Sequence, residues 1–306
     1  MTVFKRTGAQ LGLLLILICG VGLAVLERPL SKPAFAQATQ AADMVLGIGI
    51  CPPWRTQSVE VCRNSVQTVL KAFSERFGLS EARLHLMLNE GASADSLKKT
   101  VTALANTLGP DDRLIIYANI PSISNAAAEA GLPNRQILQL WADEKPESTE
   151  LAIETGTWIS APAFAAMLHT VPAGQVILIL DTSNSDTIDP DLLETHATNL
   201  DARPEALVTS AGAGQMANYS ADRTIALFAK HLAASLSATE GTLADVIRAA
   251  SAGTRQAAIP ICVALREKQS GSQSNEKDCT QVPEIHDPAG ILSTIAVPPL
   301  PEKEAN

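Results

Sequence analysis

The run Val176-Ile177-Leu178-Ile179-Leu180 ends abruptly at Asp181-Thr182-Ser183-Asn184-Ser185, an acid followed by small hydroxyl residues. An uncharged, β-branched run of this length describes a strand buried on both faces of a parallel sheet. The carboxyl end of such a strand opens on the crevice where α/β sheets place their functional groups. Upstream, Met44 to Cys51 reads as a first strand whose interior Gly47 and Gly49 signal a close approach by another element. From Ser58 to Phe77, Cys62, Val66, Val69, Phe73 and Phe77 recur at helical steps, and Gly78 stands where a left-handed stop belongs. Leu84–Leu88 and Arg113–Tyr117 read as strands. Ser93–Leu108 reads as a helix with Leu97, Val101, Leu104 and Leu108 inward.

Beyond these, Ile137–Ser160 predicts an accessory hairpin, Ala161–His169 a helix and Ala206–Ser210 a strand. Asp222–Leu236 and Thr242–Ala257 carry helical patterns. Ile261–Leu265 reads as the last strand, Lys268–Asp278 as a polar loop and Pro298–Asn306 as a tail without core residues. The alternation predicts an α/β domain with a mostly parallel sheet covered by helices on both faces.

With 306 residues, 46% of them hydrophobic, the chain is long enough to bury one sizeable core. The start is read separately. Lys5 and Arg6 precede an uncharged stretch, residues 11–26, and Ala34-Phe35-Ala36 offers a small-x-small cleavage site, so residues 1–36 read as a signal peptide. Cleavage after Ala36 predicts a secreted or periplasmic protein beginning at Gln37. The alternative is a membrane anchor through 11–26 if the segment stays uncleaved. Removal takes four basic residues against one acid, so the formal net charge moves from -9 to about -12. Such an acidic product is not expected to bind nucleic acid. Cys51, Cys62, Cys262 and Cys279 then remain in an oxidising compartment, where three connectivities are open. Pairing Cys51 with Cys62 and Cys262 with Cys279, which closes two short loops, is preferred. No spacing suggests zinc, and no cofactor is expected.

The segment ending at Ser183 resembles the Leu-Asp-x-Cys-His-Ser-Gly strand end of caspases and metacaspases. Other stretches carry the same resemblance in order. Val45-Leu46-Gly47-Ile48-Gly49-Ile50 is similar to the family's first strand, and Cys62-Arg63-Asn64-Ser65 to its Cys-x-Asn-Asp. Asp111-Asp112-Arg113-Leu114-Ile115-Ile116-Tyr117 resembles Asp-Asp-x-Leu-x-x-Tyr, Leu207-Val208-Thr209-Ser210-Ala211 the strand after the nucleophile, and Gln281-Val282-Pro283 the closing Gln-Thr-Pro. The resemblance extends over roughly Met44 to Pro288 and implies a caspase-like three-layer sandwich; the domain is read as residues 37–292, with 293–306 as a disordered tail.

The family's chemistry does not carry over with it. Its histidine lies in a Ser-Gly-His-Gly segment whose positions are Asn119-Ile120-Pro121-Ser122 here, and its cysteine is Ser183. A serine hydroxyl needs an adjacent base, and proline offers none. The resemblance therefore implies a pseudoprotease with degenerate dyad positions Pro121 and Ser183. The cleft would bind a peptide or protein, with Asp181, Cys62, Ser65 and Asn119 around it. Asp181 would attract a basic side chain, whereas Ser65 replaces the second acid of the family's pocket.

The same residues allow two other functions. A rebuilt hydrolase around Ser183 would need His85, His169, His196, His231 or His286 as base, and none stands at a matching position. Asp181-Thr182-Ser183-Asn184-Ser185 also fits the Asp-x-Ser-x-Ser adhesion motif, in which Asp181, Ser183 and Ser185 would hold magnesium. In the plainest reading, Asp181 and the hydroxyls only satisfy backbone groups at a loop start.

Overall fold

The computed structural model describes residues 43–54, 59–124, 136–183, 203–212, 215–270 and 279–299. All of them belong to one unit, Ala41–Asn306. The expected signal peptide, Asn184, Ser185, His196 and residues 300–306 lie outside the described residues. No described helix is long and apolar enough to cross a membrane.

Six strands form the main sheet: β1 (Asp43–Gly49), β2 (Leu84–Leu88), β3 (Arg113–Asn119), β7 (Gln175–Leu180), β8 (Glu205–Thr209) and β9 (Glu284–His286). Their order is β2-β1-β3-β7-β8-β9; the first five run parallel, and β9 pairs antiparallel to β8. Successive side chains of a strand face opposite ways, and here both faces are covered. Val45, Ile115, Tyr117, Ile177, Ile179 and Val208 pack into one core with α1 (Val59–Phe77), α5 (Leu227–Ala238), α6 (Leu243–Ser270) and α7 (Ile291–Thr294). Leu46, Ile48, Ile116, Leu178 and Leu180 face the other core, built with α2 (Ala94–Ala105) and α4 (Ala161–His169). The result is the expected three-layer α/β sandwich.

Several local signals act as predicted. Gly78 adopts φ +64° and ends α1. The close approach at the β1 glycines comes from α1: a Cβ on Gly47 would meet Val66 Cγ1 at 2.5 Å and also strike Leu70, and one on Gly49 would lie 2.8 Å from Val66 Cγ2. Ser93 caps α2, accepting from Ser96 N at 3.3 Å. Both preferred disulfides are present, with Cα separations of 5.7 Å for Cys51–Cys62 and 5.4 Å for Cys262–Cys279.

The accessory segment is richer than a hairpin. β5 (Gln136–Leu138) and β6 (Ile159–Ser160) do pair antiparallel, but α3 (Thr149–Glu154) lies between them and β4 (Ser122–Ser124) adds a third strand. Trp158, Ile137 and Ala152 form its small core, against which Trp54 and Ile123 pack.

Three expectations are corrected. Ile261–Leu265 is not a strand but part of α6, which continues through Pro260. Thr254, Ala258 and Cys262, four residues apart, are all buried on one face, so the helical stripe outweighs the β-branched pair Ile259 and Ile261. The closing strand is instead β9, only three residues long. The expected helix from Asp222 starts at Leu227, because Asp222 accepts from Ser220 Oγ (2.5 Å) and Thr224 N (3.2 Å) and holds a turn there. Finally, the tail does not begin at 293. Ile295 and Val297 are buried, Ala296 bridges to Thr242, and Val297 N donates to Gly241 O at 2.9 Å.

Candidate functional site

The parallel strands end together, and the ladder runs one residue past each end. Ile50 N donates to Asn119 O (3.0 Å), Asp181 N to Ala118 O (2.8 Å) and Ser210 N to Leu180 O (2.9 Å). Beyond this edge Pro52-Pro53 and Pro121 prevent further pairing. A cleft of about 400 Å³ opens there, lined by Ile50, Cys62, Asn119 to Ser122, Asp181 to Ser183, Met216 to Tyr219 and Ala226.

Asp181 forms part of its floor and is 2% exposed. Its Oδ2 accepts from the Tyr117 hydroxyl at 2.6 Å, while its Oδ1 is buried with no hydrogen-bond partner. Burial pushes the Asp181 pKa up, and hydrogen bonding, from Tyr117 first and then from Ser210, the Ala229 backbone and Asn119, opposes part of that rise. Burial, then the neighbouring Asp181 charge, also pushes the Tyr117 phenol well above its ordinary value, so Tyr117 acts as a fixed donor. An anionic acceptor with one unpartnered oxygen can receive a further donor, provided the donor's own desolvation is compensated.

Ser183 is held on both sides. Its Oγ accepts from Ala217 N at 3.1 Å, and its carbonyl accepts from Ser122 Oγ (2.6 Å) and Gln136 Nε2 (2.9 Å). Gln136 also donates to Ser122 Oγ (2.9 Å), and the Thr182 hydroxyl donates to the same oxygen (2.7 Å). Pro121 lies on the cleft wall, its carbonyl accepting from Gln139 N at 2.8 Å. No described histidine lines the cleft. His85 is on β2, His169 contacts Glu205 at 2.9 Å, His231 packs beside Gly253 and His286 is on β9.

The other expected residues divide. Asn119 lines the cleft and donates from Nδ2 to Asp181 O at 3.2 Å. Cys62 lines it too, but as half of the Cys51 disulfide. Ser65 does not line the cleft. It is fully buried, donating to Val61 O (2.6 Å) and accepting from Ala226 N (2.9 Å), so it latches α1 to the start of α5. Ser185, the third oxygen of the magnesium reading, lies outside the described residues. Among those described, no three His, Cys, Asp or Glu side chains group as a metal site.

Sequence reasoning missed the supports. Tyr117 stood in a quoted stretch but faces Asp181 from 64 positions away. Gln136 gave no signal. Gln281, also quoted, is fully buried and accepts from Asn218 N (2.8 Å) while donating to Ser210 O (2.9 Å), which fixes the segment carrying Ala217.

The chain is therefore a three-layer α/β domain with a polar cleft at the carboxyl edge of its parallel strands. No family model and no curated protein matches it. Among solved structures it is similar to protein GSU0716 from Geobacter sulfurreducens, with a TM-score of 0.53 at 11% identity, covering 85% of this chain and 100% of that one. This likeness shows a shared fold. The Drosophila initiator caspase Dronc aligns with a TM-score of 0.47 at 7% identity, over 84% of this chain and 81% of that one. Caspase-1 from Spodoptera frugiperda aligns at 0.44 and 10% identity, over 81% and 88%.

Proposed function

We propose that this chain is an exported, caspase-like pseudoprotease whose strand-end cleft binds a peptide or protein segment through a basic side chain and does not cut it. One observation carries the reading. Asp181 presents a buried carboxylate with an unpartnered Oδ1 in a cleft that Ser183 and Pro121 also line; the resemblance to caspases gives these two the nucleophile and base positions. The Ser183 hydroxyl already accepts a backbone N–H, and no described imidazole stands within the cleft to take its proton. Among the described residues a serine so placed has no base to take its proton at neutral pH. A lone carboxylate in a low-dielectric cleft still favours a cation.

Purified protein should leave Arg- and Lys-terminated peptide reporters uncut, with or without calcium. It should bind a basic peptide by fluorescence anisotropy, and binding should fall at least tenfold with Asp181→Ala. Turnover abolished by Ser183→Ala would refute the inactive reading. A magnesium-dependent rise in melting temperature, lost in Ser185→Ala, would replace peptide binding by a metal site.

A further inference from the structure

A second concavity lies away from the strand-end cleft and is larger, at about 770 Å³. One wall is the flank of α6, where Arg248, Ser251, Ala252, Arg255, Gln256 and Ile259 follow one another at helical steps. The other wall is Val282 and Pro283, in the segment returning from Cys279. The Cys262–Cys279 disulfide lies three residues beyond Ile259 and three before Val282, so it fixes the spacing of the two walls at that end.

The chemistry of this groove contrasts with the rest of the molecule. The chain carries a net charge of -9, yet among the described residues the groove is lined by two arginines and no acid. Arg248 pairs with Asp245 at one nitrogen (2.5 Å), whereas Arg255 is exposed and makes no ion pair among the described residues. Ser251 Oγ is buried and has no hydrogen-bond partner. Pro260 has no N–H for the Gln256 carbonyl, so that wall also lacks one helical donor. Ile259, Val282 and Pro283 supply an apolar floor.

We propose that this groove docks an extended acidic segment of a partner protein. Seven helical residues place Arg248 and Arg255 about 10 Å apart along α6. In an extended polyproline II chain, with three residues per turn and a rise of about 3.1 Å, acids three positions apart lie on one side and span about 9 Å. The two carboxylates sit on the two guanidinium groups, and an apolar side chain between them rests on Val282.

The test uses the full chain and a fluorescein-labelled peptide containing Glu-Leu-Ala-Glu-Leu, read by fluorescence anisotropy. Saturable binding is expected, at least tenfold weaker for the Gln-Leu-Ala-Gln-Leu counterpart and at least tenfold weaker with Arg255→Glu. Ala252→Trp, which fills the groove without altering charge, should weaken it comparably, and Asp181→Ala should leave it unchanged. Equal binding of the two peptides, no binding, or indifference to both groove variants would overturn the proposal. Loss with Asp181→Ala would move the ligand to the strand-end cleft. Binding that emerges only after removal of residues 300–306 would make Glu302 and Glu304 of this chain the occupant. A doubled mass in light scattering, abolished by Arg255→Glu, would make it a second copy; either result overturns a separate partner.

Discussion

Replacing Tyr117 by Phe tests the centre of the strand-end cleft, because it deletes one hydroxyl and little else. The Tyr117–Asp181 bond is 2.6 Å long and wholly buried, and among the hydrogen bonds that hold the Asp181 carboxylate it is the leading one. A hydrogen bond to a charged group contributes about 1.5–3 kcal/mol. At about 2–4 °C per kcal/mol for a domain of this size, the melting temperature should drop by roughly 5–10 °C. The pH dependence carries more information. Burial raises the folded pKa of Asp181 above its unfolded value, so its favourable contribution is full below about pH 4 and is lost as pH rises through the folded pKa. Tyr117 resists that rise; without it the folded pKa climbs further, and the penalty of Tyr117→Phe must grow with pH. Urea unfolding followed by tryptophan fluorescence at several pH values measures this directly. A loss below about 0.5 kcal/mol, or one that shrinks as pH rises, would refute the charged-pair account. Asp181→Asn keeps the shape and the acceptor but removes the charge. It should gain stability relative to wild type as pH rises and should reduce the cost of Tyr117→Phe to about 1 kcal/mol.

Other expectations follow from the packing and the links. Gly47→Ala should cost about 1–3 kcal/mol by forcing α1 off β1, measured as a lower urea midpoint; no change would mean that Leu70 and Val66 yield freely. Alkylation without reduction should label none of Cys51, Cys62, Cys262 and Cys279, and replacing Cys51 and Cys62 by Ser should cost about 3 kcal/mol. Arg203 donates to Glu205 (2.8 Å), to Leu168 O (2.7 Å) and to Val171 O, so Arg203→Ala should cost at least about 2 kcal/mol at neutral pH. Burial alone would raise the Glu205 pKa, but hydrogen bonds from His169 and Arg203 outweigh it and hold it low. That stabilisation is present above about pH 4.3 and is lost as pH falls through the folded value, so the gap between wild type and Arg203→Ala should narrow in acid.

The elements legible in the sequence were those with several residues agreeing on one period. β7 announced itself by an unbroken apolar run, and α1 by five inward residues closed by Gly78. β9 stayed hidden because three residues, two of them exposed, carry no pattern. The helix read as ending at Ala257 runs on through Pro260, because the buried stripe through Thr254, Ala258 and Cys262 keeps one helical face inward. At the cleft, Asp181, Ser183 and Asn119 were readable because strand ends make their surroundings predictable. Their partners were not, since Tyr117, Gln136 and Ala217 reach them across long sequence separations that only the finished fold closes. Ser65 was misplaced for a related reason. Its position on α1 was right, but its hydroxyl bonds inward to Val61 and Ala226.

The two sulfur links also decide what a protease can do to this molecule. A cut anywhere between residues 263 and 278 falls inside the ring closed by Cys262 and Cys279, and one between 52 and 61 inside the ring closed by Cys51 and Cys62. Either nick leaves a single covalent species, visible as two bands only on a reducing gel. A cut between Ser183 and Arg203 lies outside both rings. The halves it creates are joined by no disulfide among the described residues, and they stay together through the pairing of β7 with β8, the shared cores on either side of the sheet and side-chain links such as Ser65 to Ala226 and Arg203 to Leu168.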